Sequence, residues 1–140
     1  MADPASVHDL RDILSTPKRI AVLGAHPDEH RAAYYVPKYL KEQGWTVIGI
    51  NPTRAGEAWL GGTILASLEE AGPVDLIDVF RRSEALADHR DEFLAAGAPI
   101  IWFQLGIENE AVATDLRAAG LRVIQDRCML ADHRALIGKR

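Results

Sequence analysis

The feature that most constrains the fold is a series of short, continuous apolar runs separated by longer amphipathic segments. The runs are rich in branched residues and lack strict apolar–polar alternation, which is typical of strands covered on both faces of a sheet. The sequence therefore predicts five buried strands. They are IAVL (20–23), WTVIGI (45–50), VDLIDVF (74–80), PIIWFQ (99–104) and LRVI (121–124).

Helical patterns lie before and between these runs. The first covers 7–14, with Ser6 and Asp9 placed as a capping pair. Three more cover 34–43, 83–96 and 109–119, and each is followed by a glycine, the residue that most readily closes a helix in a left-handed conformation. Pro37 falls inside one of them, where we expect it to lie in the first turn or to kink the helix.

Strands separated by helices of this length predict right-handed crossovers. The expected fold is α/β: a Rossmann-like, doubly wound, mainly parallel five-stranded sheet with helices on both faces. No composition shift or repeat divides the chain, which predicts one domain over 1–140. Ligands of such folds bind outside the carboxyl ends of the strands. Those ends read GAHPDEHR, NPTR, FRRS, QLGIEN and QDRC.

Charge and cysteine content exclude several classes of protein. Sixteen Lys and Arg against twenty Asp and Glu disfavour a broad nucleic-acid surface. No apolar run approaches the ~20 residues of a membrane-spanning helix. The start MADPASVHDL lacks the pattern of a signal peptide, and Cys128 is the single cysteine, so we expect a cytoplasmic protein. Cys128 itself is expected to be a buried structural thiol, not a nucleophile.

The segment GAHPDEH allows two interpretations. It resembles the GAHPDDE segment of zinc-dependent sugar N-deacetylases, in which His26 and Asp28 would match a zinc ligand and a base. Glu29 stands in place of that family's second Asp, and no paired-histidine motif supplies the further ligand. A zinc-dependent hydrolase or deacetylase is therefore the alternative hypothesis, and we predict no metal site.

The same segment can hold a phosphate with fewer requirements. Backbone N–H groups at 32–34 would begin the helix after the first strand, where an anion is favoured. Gly24 and Ala25 permit close approach, and Arg31 adds charge. The dinucleotide fingerprint G-x-G-x-x-G is absent, and Asn51 replaces the acidic residue that would hold a ribose, which argues against NAD.

The other strand ends add polar and aromatic groups. Asn51 and Pro52 predict a turn, and Phe80 precedes two arginines, a combination suited to adenine and phosphate. Gln104 and Gly106 offer an amide and open backbone for a thin polar chain. A further hypothesis remains open: the chain is another nucleotide-binding regulatory module, in which the ligand controls binding to a protein partner or to a second copy of the chain.

Five ordered pieces, IAVLGAHPDEHR, VIGINP, PVDLIDVFRR, WFQLGI and QDRCML, together resemble the small single-domain coenzyme A-binding proteins. These are similar to the nucleotide-binding domain of the succinyl-CoA synthetase alpha subunit. The resemblance implies a Rossmann-like domain that binds coenzyme A or acyl-CoA and has no catalytic residues. The resemblance implies that Gly24, Ala25 and His26 form the loop over the nucleotide and that Arg31 contacts a phosphate. It implies that Asn51 and Pro52 border the adenosine end, that Phe80 and Arg81 flank the ligand at the third strand, and that Gln104 and Gly106 face the pantetheine arm.

Overall fold

The computed structural model of the chain describes residues 6–138. The predicted domain of 1–140 extends past both limits, so residues 1–5 and 139–140 of that prediction lie outside the described residues. The helices and strands, in chain order, are α1 (Val7–Leu14), β1 (Arg19–Leu23), α2 (Ala32–Glu42), β2 (Thr46–Ile50), β3 (Ala58–Trp59), β4 (Gly62–Thr63), α3 (Leu68–Ala71), β5 (Leu76–Val79), α4 (Leu86–Ala96), β6 (Ile100–Phe103), α5 (Glu110–Ala118), β7 (Arg122–Ile124) and α6 (Met129–Leu136).

The main sheet has five parallel strands in the order β2-β1-β5-β6-β7. Leu23 at the end of β1 pairs with Ile50 of β2 and with Val79 of β5. The chain therefore builds one side of the sheet from β1 outward and then returns to build the other side. This confirms the predicted Rossmann-like α/β fold and creates a switch point between β1 and β5, where parallel sheets of this kind bind ligands.

Helices cover both faces of the sheet because each strand directs alternate apolar side chains to opposite faces. Ile20 and Val22 of β1 face α1, α2 and α6, whereas Ala21 and Leu23 face α3, α4 and α5. Every residue of β5 and β6 is buried, as the continuous apolar runs predict.

Local signals place most helix ends correctly. The Ser6 hydroxyl accepts a hydrogen bond from the Asp9 N–H at 3.0 Å, which confirms the first cap. The Asn109 carboxamide caps α5 by accepting from the Val112 N–H at 3.1 Å. Pro37, in contrast, lies in the second turn of α2, which continues through it to Glu42. The predicted first-turn position is wrong because α2 begins at Ala32, two residues earlier than predicted, and the alternative of a kink stays a prediction.

Three elements have no counterpart in the sequence prediction: the hairpin β3–β4, the short helix α3 and the final helix α6. The hairpin and α3 occupy the stretch between β2 and β5, where the apolar periodicity is weak. A bridge from Ile50 to Leu65 attaches the hairpin's return segment to β2. The hairpin's return segment therefore lies beside β2, and α6 packs against α1 and α2.

Candidate functional site

Gly24 forms the floor of the switch point. Its φ of +93° is a conformation that other residues rarely adopt, and a Cβ there would lie 2.6 Å from the Phe80 carbonyl oxygen. The Phe80 N–H in turn donates to the Leu23 carbonyl at 2.8 Å. Gly24 therefore allows the loop after β1 to lie directly against the end of β5.

The loop's first two amides are engaged within the protein. The N–H groups of Gly24 and Ala25 both donate to the Ile50 carbonyl, at 2.8 and 3.2 Å. The His26 N–H has no acceptor among residues 6–138, and the same holds for Ala32 and Ala33 at the start of α2. The donors left for an anion thus lie one residue further along the loop and at the helix N-terminus.

The His26 ring is half-buried and held by its own loop. Its Nδ1 accepts a hydrogen bond from the Asp28 N–H at 3.0 Å, while the Asp28 carboxylate accepts from the His30 N–H at 2.9 Å. Burial lowers the pKa of His26, and the nearby guanidinium groups of Arg54 and Arg31 lower it further. The neutral ring therefore carries its proton on Nε2 and adds a donor beside two positive charges.

This geometry gives the zinc hypothesis no support. Throughout residues 6–138 there is no group of three or more His, Cys, Asp or Glu side chains that could hold a metal ion. The His26 Nδ1 lone pair accepts from the Asp28 backbone N–H. His30 is exposed, and its Nε2 lies 3.9 Å from the Glu29 Oε1.

Asn51 is buried, and its side chain forms hydrogen bonds within the protein. Its Nδ2 donates to the Ala25 carbonyl at 3.0 Å, and its Oδ1 accepts from the N–H and hydroxyl of Thr53 at 3.1 and 2.9 Å. These bonds tie the end of β2 to the loop after β1. Pro52 is exposed and begins the predicted turn, which takes the form of a 3-10 helix ending at Arg54.

Two arginines at this edge have no protein partner. Arg31 is exposed and Arg81 half-buried, and neither forms an ion pair or side-chain hydrogen bond with any described residue. The Arg81 Nε is buried without an acceptor. Arg82, in contrast, is exposed and pairs with Glu84 at 3.6 Å. Leaving a buried guanidinium nitrogen without a hydrogen-bond acceptor costs free energy.

Gln104 lies at the end of β6 with its side chain turned into the protein. Its Nε2 donates to Asp78 Oδ1 at 2.5 Å, and its Oε1 accepts from the Met129 N–H at 3.4 Å. Asp78 is fully buried, its Oδ2 has no hydrogen-bond partner among residues 6–138, and burial raises its pKa to about 7. Gly106 is exposed, with φ +82°, and its N–H donates to the Asp126 carboxylate at 2.6 Å.

The structure thus brings most of the predicted site residues to one edge of the sheet. The loop residues 24–26 touch β2 through Ile50 and β5 through Phe80. Phe80 itself is half-buried and packs against the core. Gln104 and Gly106 lie further along the edge, at the end of β6, and Gln104 is bonded inward. Cys128 is a free, half-buried cysteine at the N-terminus of α6.

Sequence reasoning missed three residues of this edge. Arg54 was visible in the segment NPTR, but its approach to His26 depends on the turn at Pro52. Trp59 donates from its indole Nε1 to the His26 carbonyl at 3.0 Å, across 33 residues of chain. Asp78 was a single polar residue within an apolar run, and no local pattern reveals its buried partner.

Across the described part of the chain, no helix is both long and apolar enough to cross a membrane.

Comparisons with known proteins agree with the geometry. Residues 18–134 match the model of a protein family described as a CoA binding domain. The uncharacterized protein YneT of Bacillus subtilis (strain 168) is 39% identical over 134 residues, which cover 95% of this chain and 97% of the relative.

Two solved structures show the same fold over nearly their whole length. A protein from Thermus thermophilus, described as cell-free ID.343, is 44% identical with a TM-score of 0.90, covering 95% of this chain and 100% of that one. A hypothetical protein from Pyrococcus horikoshii OT3 is 31% identical with a TM-score of 0.88, covering 99% of both chains.

Proposed function

Because the chain belongs to the CoA-binding domain family, we propose that it binds coenzyme A or acyl-CoA at the switch point between β1 and β5. The observation that carries this proposal is Arg81, a half-buried arginine at the end of β5 whose Nε is buried without an acceptor. The site is next to Gly24, where the loop and strand approach most closely. A phosphate oxygen would satisfy that nitrogen with a charge-assisted hydrogen bond.

The diphosphate would lie against the start of α2. The free N–H groups of His26, Ala32 and Ala33 and the helix dipole favour an anion there. Arg31 adds an unpaired charge, and the Nε2–H of neutral His26 adds a donor. A ligand with several phosphates would therefore gain more from this edge than a singly charged one.

The two ends of the ligand would follow the sheet edge in opposite directions. Asn51 and Pro52 would border the adenosine end, with Asn51 acting through the loop it holds. Gly106 has open space around its Cβ position and offers room for the pantetheine arm, with Gln104 supporting the strand end beneath it. Phe80 would flank the ligand at the third strand of the main sheet. We assign no catalytic residue to this edge.

A calorimetric titration of coenzyme A into metal-stripped protein tests the proposal, with NAD as the control ligand. We expect saturable binding of coenzyme A with one site per chain, and no heat from NAD beyond dilution. Equal binding of both would reject the assignment to coenzyme A, and absence of binding would reject the proposal. A parallel titration with acetyl-CoA compares the free and acylated forms.

We also propose a cytoplasmic location, since a single cysteine gives the chain no disulfide framework of the kind that small secreted domains use. Cell fractionation with antibody detection checks this, and recovery in a secreted or membrane fraction would reject it.

A further inference from the structure

We propose that Trp59, on β3 of the hairpin, is a positioning residue for the anion-binding loop: it holds the His26 carbonyl away from the ligand without touching the ligand itself. This inference rests on the proposed function for the identity of the ligand. Its effect on the loop can be measured with no ligand present.

The indole is fixed on the side of the loop that faces β2. Trp59 is 4% exposed, and its Nε1 donates to the His26 carbonyl at 3.0 Å. A Cβ placed on Gly49 would lie 2.8 Å from the indole Cε3 and 3.1 Å from the Ala25 Cβ. Gly49 therefore has no side chain because the indole and the loop occupy that space.

The preceding carbonyl is held in a similar way. Asn51 Nδ2 donates to the Ala25 carbonyl at 3.0 Å. Two consecutive carbonyl oxygens of the loop are thus bound by side chains from the segment that follows β2. In a trans peptide, the N–H points opposite to the C=O, so the His26 N–H faces away from Asn51.

This arrangement matters because carbonyl oxygens repel an anion, whereas N–H groups attract it. The loop lacks a second amide in this region, since residue 27 is proline and the amides of Gly24 and Ala25 bind Ile50. Its preference for an anion therefore depends on keeping both carbonyl oxygens on the protein side.

The hairpin is anchored firmly enough to act as a support. Leu65 N–H donates to the Gly49 carbonyl at 2.8 Å, and Asn51 N–H donates to the Leu65 carbonyl at 2.9 Å. Within the hairpin, Ile64 N–H donates to the Glu57 carbonyl at 2.9 Å. The position of Trp59 is therefore set by β2 and not by the loop that it holds.

The test is Trp59→Phe, which removes the indole N–H and keeps an aromatic ring. The chain supplies two matched controls. Trp45→Phe removes an indole N–H that has no acceptor, and Trp102→Phe removes one that donates to the Arg127 carbonyl at 2.8 Å, in the segment before α6. All three variants lose the same volume.

We expect Trp59→Phe to lower the affinity for coenzyme A and for inorganic pyrophosphate by roughly 3- to 10-fold, the scale of one neutral hydrogen bond. Both controls should retain wild-type affinity. Equal weakening in Trp102→Phe, or wild-type affinity in Trp59→Phe, would overturn the inference. Asn51→Ala provides a second variant, and it should weaken both ligands in the same direction.

Amide hydrogen exchange of the ligand-free proteins separates this inference from the proposed function. Trp59→Phe should speed exchange of the Gly24 and Ala25 amides, which donate to the Ile50 carbonyl, and neither control should. If wild-type protein binds neither ligand, the proposed function fails and the exchange data alone decide the role of Trp59. Unchanged exchange in Trp59→Phe would then overturn it.

Discussion

The two edges of the main sheet treat their basic residues differently. At the amino edge, Arg19 donates to the Pro73 and Ala71 carbonyls, both at 3.0 Å, and Arg122 binds the Asp12 carboxylate at 2.7 Å. At the carboxyl edge, Arg82 pairs with Glu84 and Arg127 with Asp132, but the side chains of Arg31 and Arg81 bind no described residue. The sequence contains arginines near both edges, so composition alone does not distinguish them. What distinguishes Arg31 and Arg81 is that the described part of the fold leaves their side-chain donors unsatisfied.

The acidic residues of β5 show the same contrast. Asp75, just before the strand, is exposed and accepts from the Arg19 N–H at 2.9 Å. Asp78, three residues on, is buried, and one of its carboxylate oxygens has no partner. Asp75 therefore stabilises the fold through its partner, whereas Asp78 is kept buried at an energetic cost.

The largest expected effect is at Asp78. Because its pKa in the folded protein, about 7, is above the usual 3.8, the folded state holds a proton that the unfolded chain releases. Its contribution to the free energy of unfolding is therefore full below about pH 4 and lost as the pH rises through 7. Asp78→Asn removes this dependence and keeps an acceptor for Gln104.

The free energy of unfolding of Asp78→Asn minus that of wild type should increase by about 3 kcal/mol from pH 5 to pH 8. Urea unfolding at the two pH values measures it. A difference between the two proteins that is the same at both pH values would contradict the assignment of the titration to Asp78.

A smaller difference, about 2 kcal/mol, is expected between Gly24→Ala and the matched control Gly97→Ala. Both have positive φ, but only Gly24 is close to another strand; a Cβ on Gly97 meets nothing within 4 Å. Each Gly→Ala change should cost about 1 kcal/mol for the left-handed backbone. Gly24→Ala should cost about 2 kcal/mol more, because its methyl group overlaps the Phe80 carbonyl. Equal losses in thermal unfolding would show that the loop does not lie against β5.

Arg31→Ala should weaken the binding of coenzyme A by about 1 to 2 kcal/mol, because one charge-assisted hydrogen bond at an exposed position is lost. The free energy of unfolding should stay near that of wild type, since the side chain has no protein partner. Titration calorimetry and thermal unfolding of the same sample measure both. A loss of stability with unchanged affinity would assign Arg31 to the fold.

Arg19→Ala should give the opposite result with a still smaller magnitude. It removes two hydrogen bonds to backbone carbonyls, so we expect a loss of about 1 kcal/mol in stability. The affinity for coenzyme A should be unchanged. Weaker binding by this variant would remove the distinction between the two edges.

The sequence predicts the sheet well because the information is local. Continuous apolar runs mark β1, β2, β5, β6 and β7, and glycines mark helix ends. The edge at which polar residues collect follows from parallel strands alone. The residues that directly follow each strand were therefore accessible without a structure, whereas Arg54, Trp59 and Asp78 were not.

What the sequence does not predict is which polar groups already have partners. Asn51 and Gln104 are both candidates for ligand contact by position, yet their side chains bond to Ala25 and Asp78, residues distant in sequence. The support from Trp59 depends on a hairpin whose two-residue strands have too few residues for a periodic signal. Partners across 26 or 33 residues come from tertiary structure, which single-sequence patterns do not carry.

The most direct test of the account is the affinity of Arg81→Ala for coenzyme A, measured by calorimetry beside Arg19→Ala and wild type. Wild type and Arg19→Ala should bind alike, and Arg81→Ala should bind about 2 kcal/mol more weakly, because the buried Nε loses its ligand oxygen. Identical affinity of Arg81→Ala and wild type would contradict the claim that the unsatisfied donors of the carboxyl edge hold the ligand.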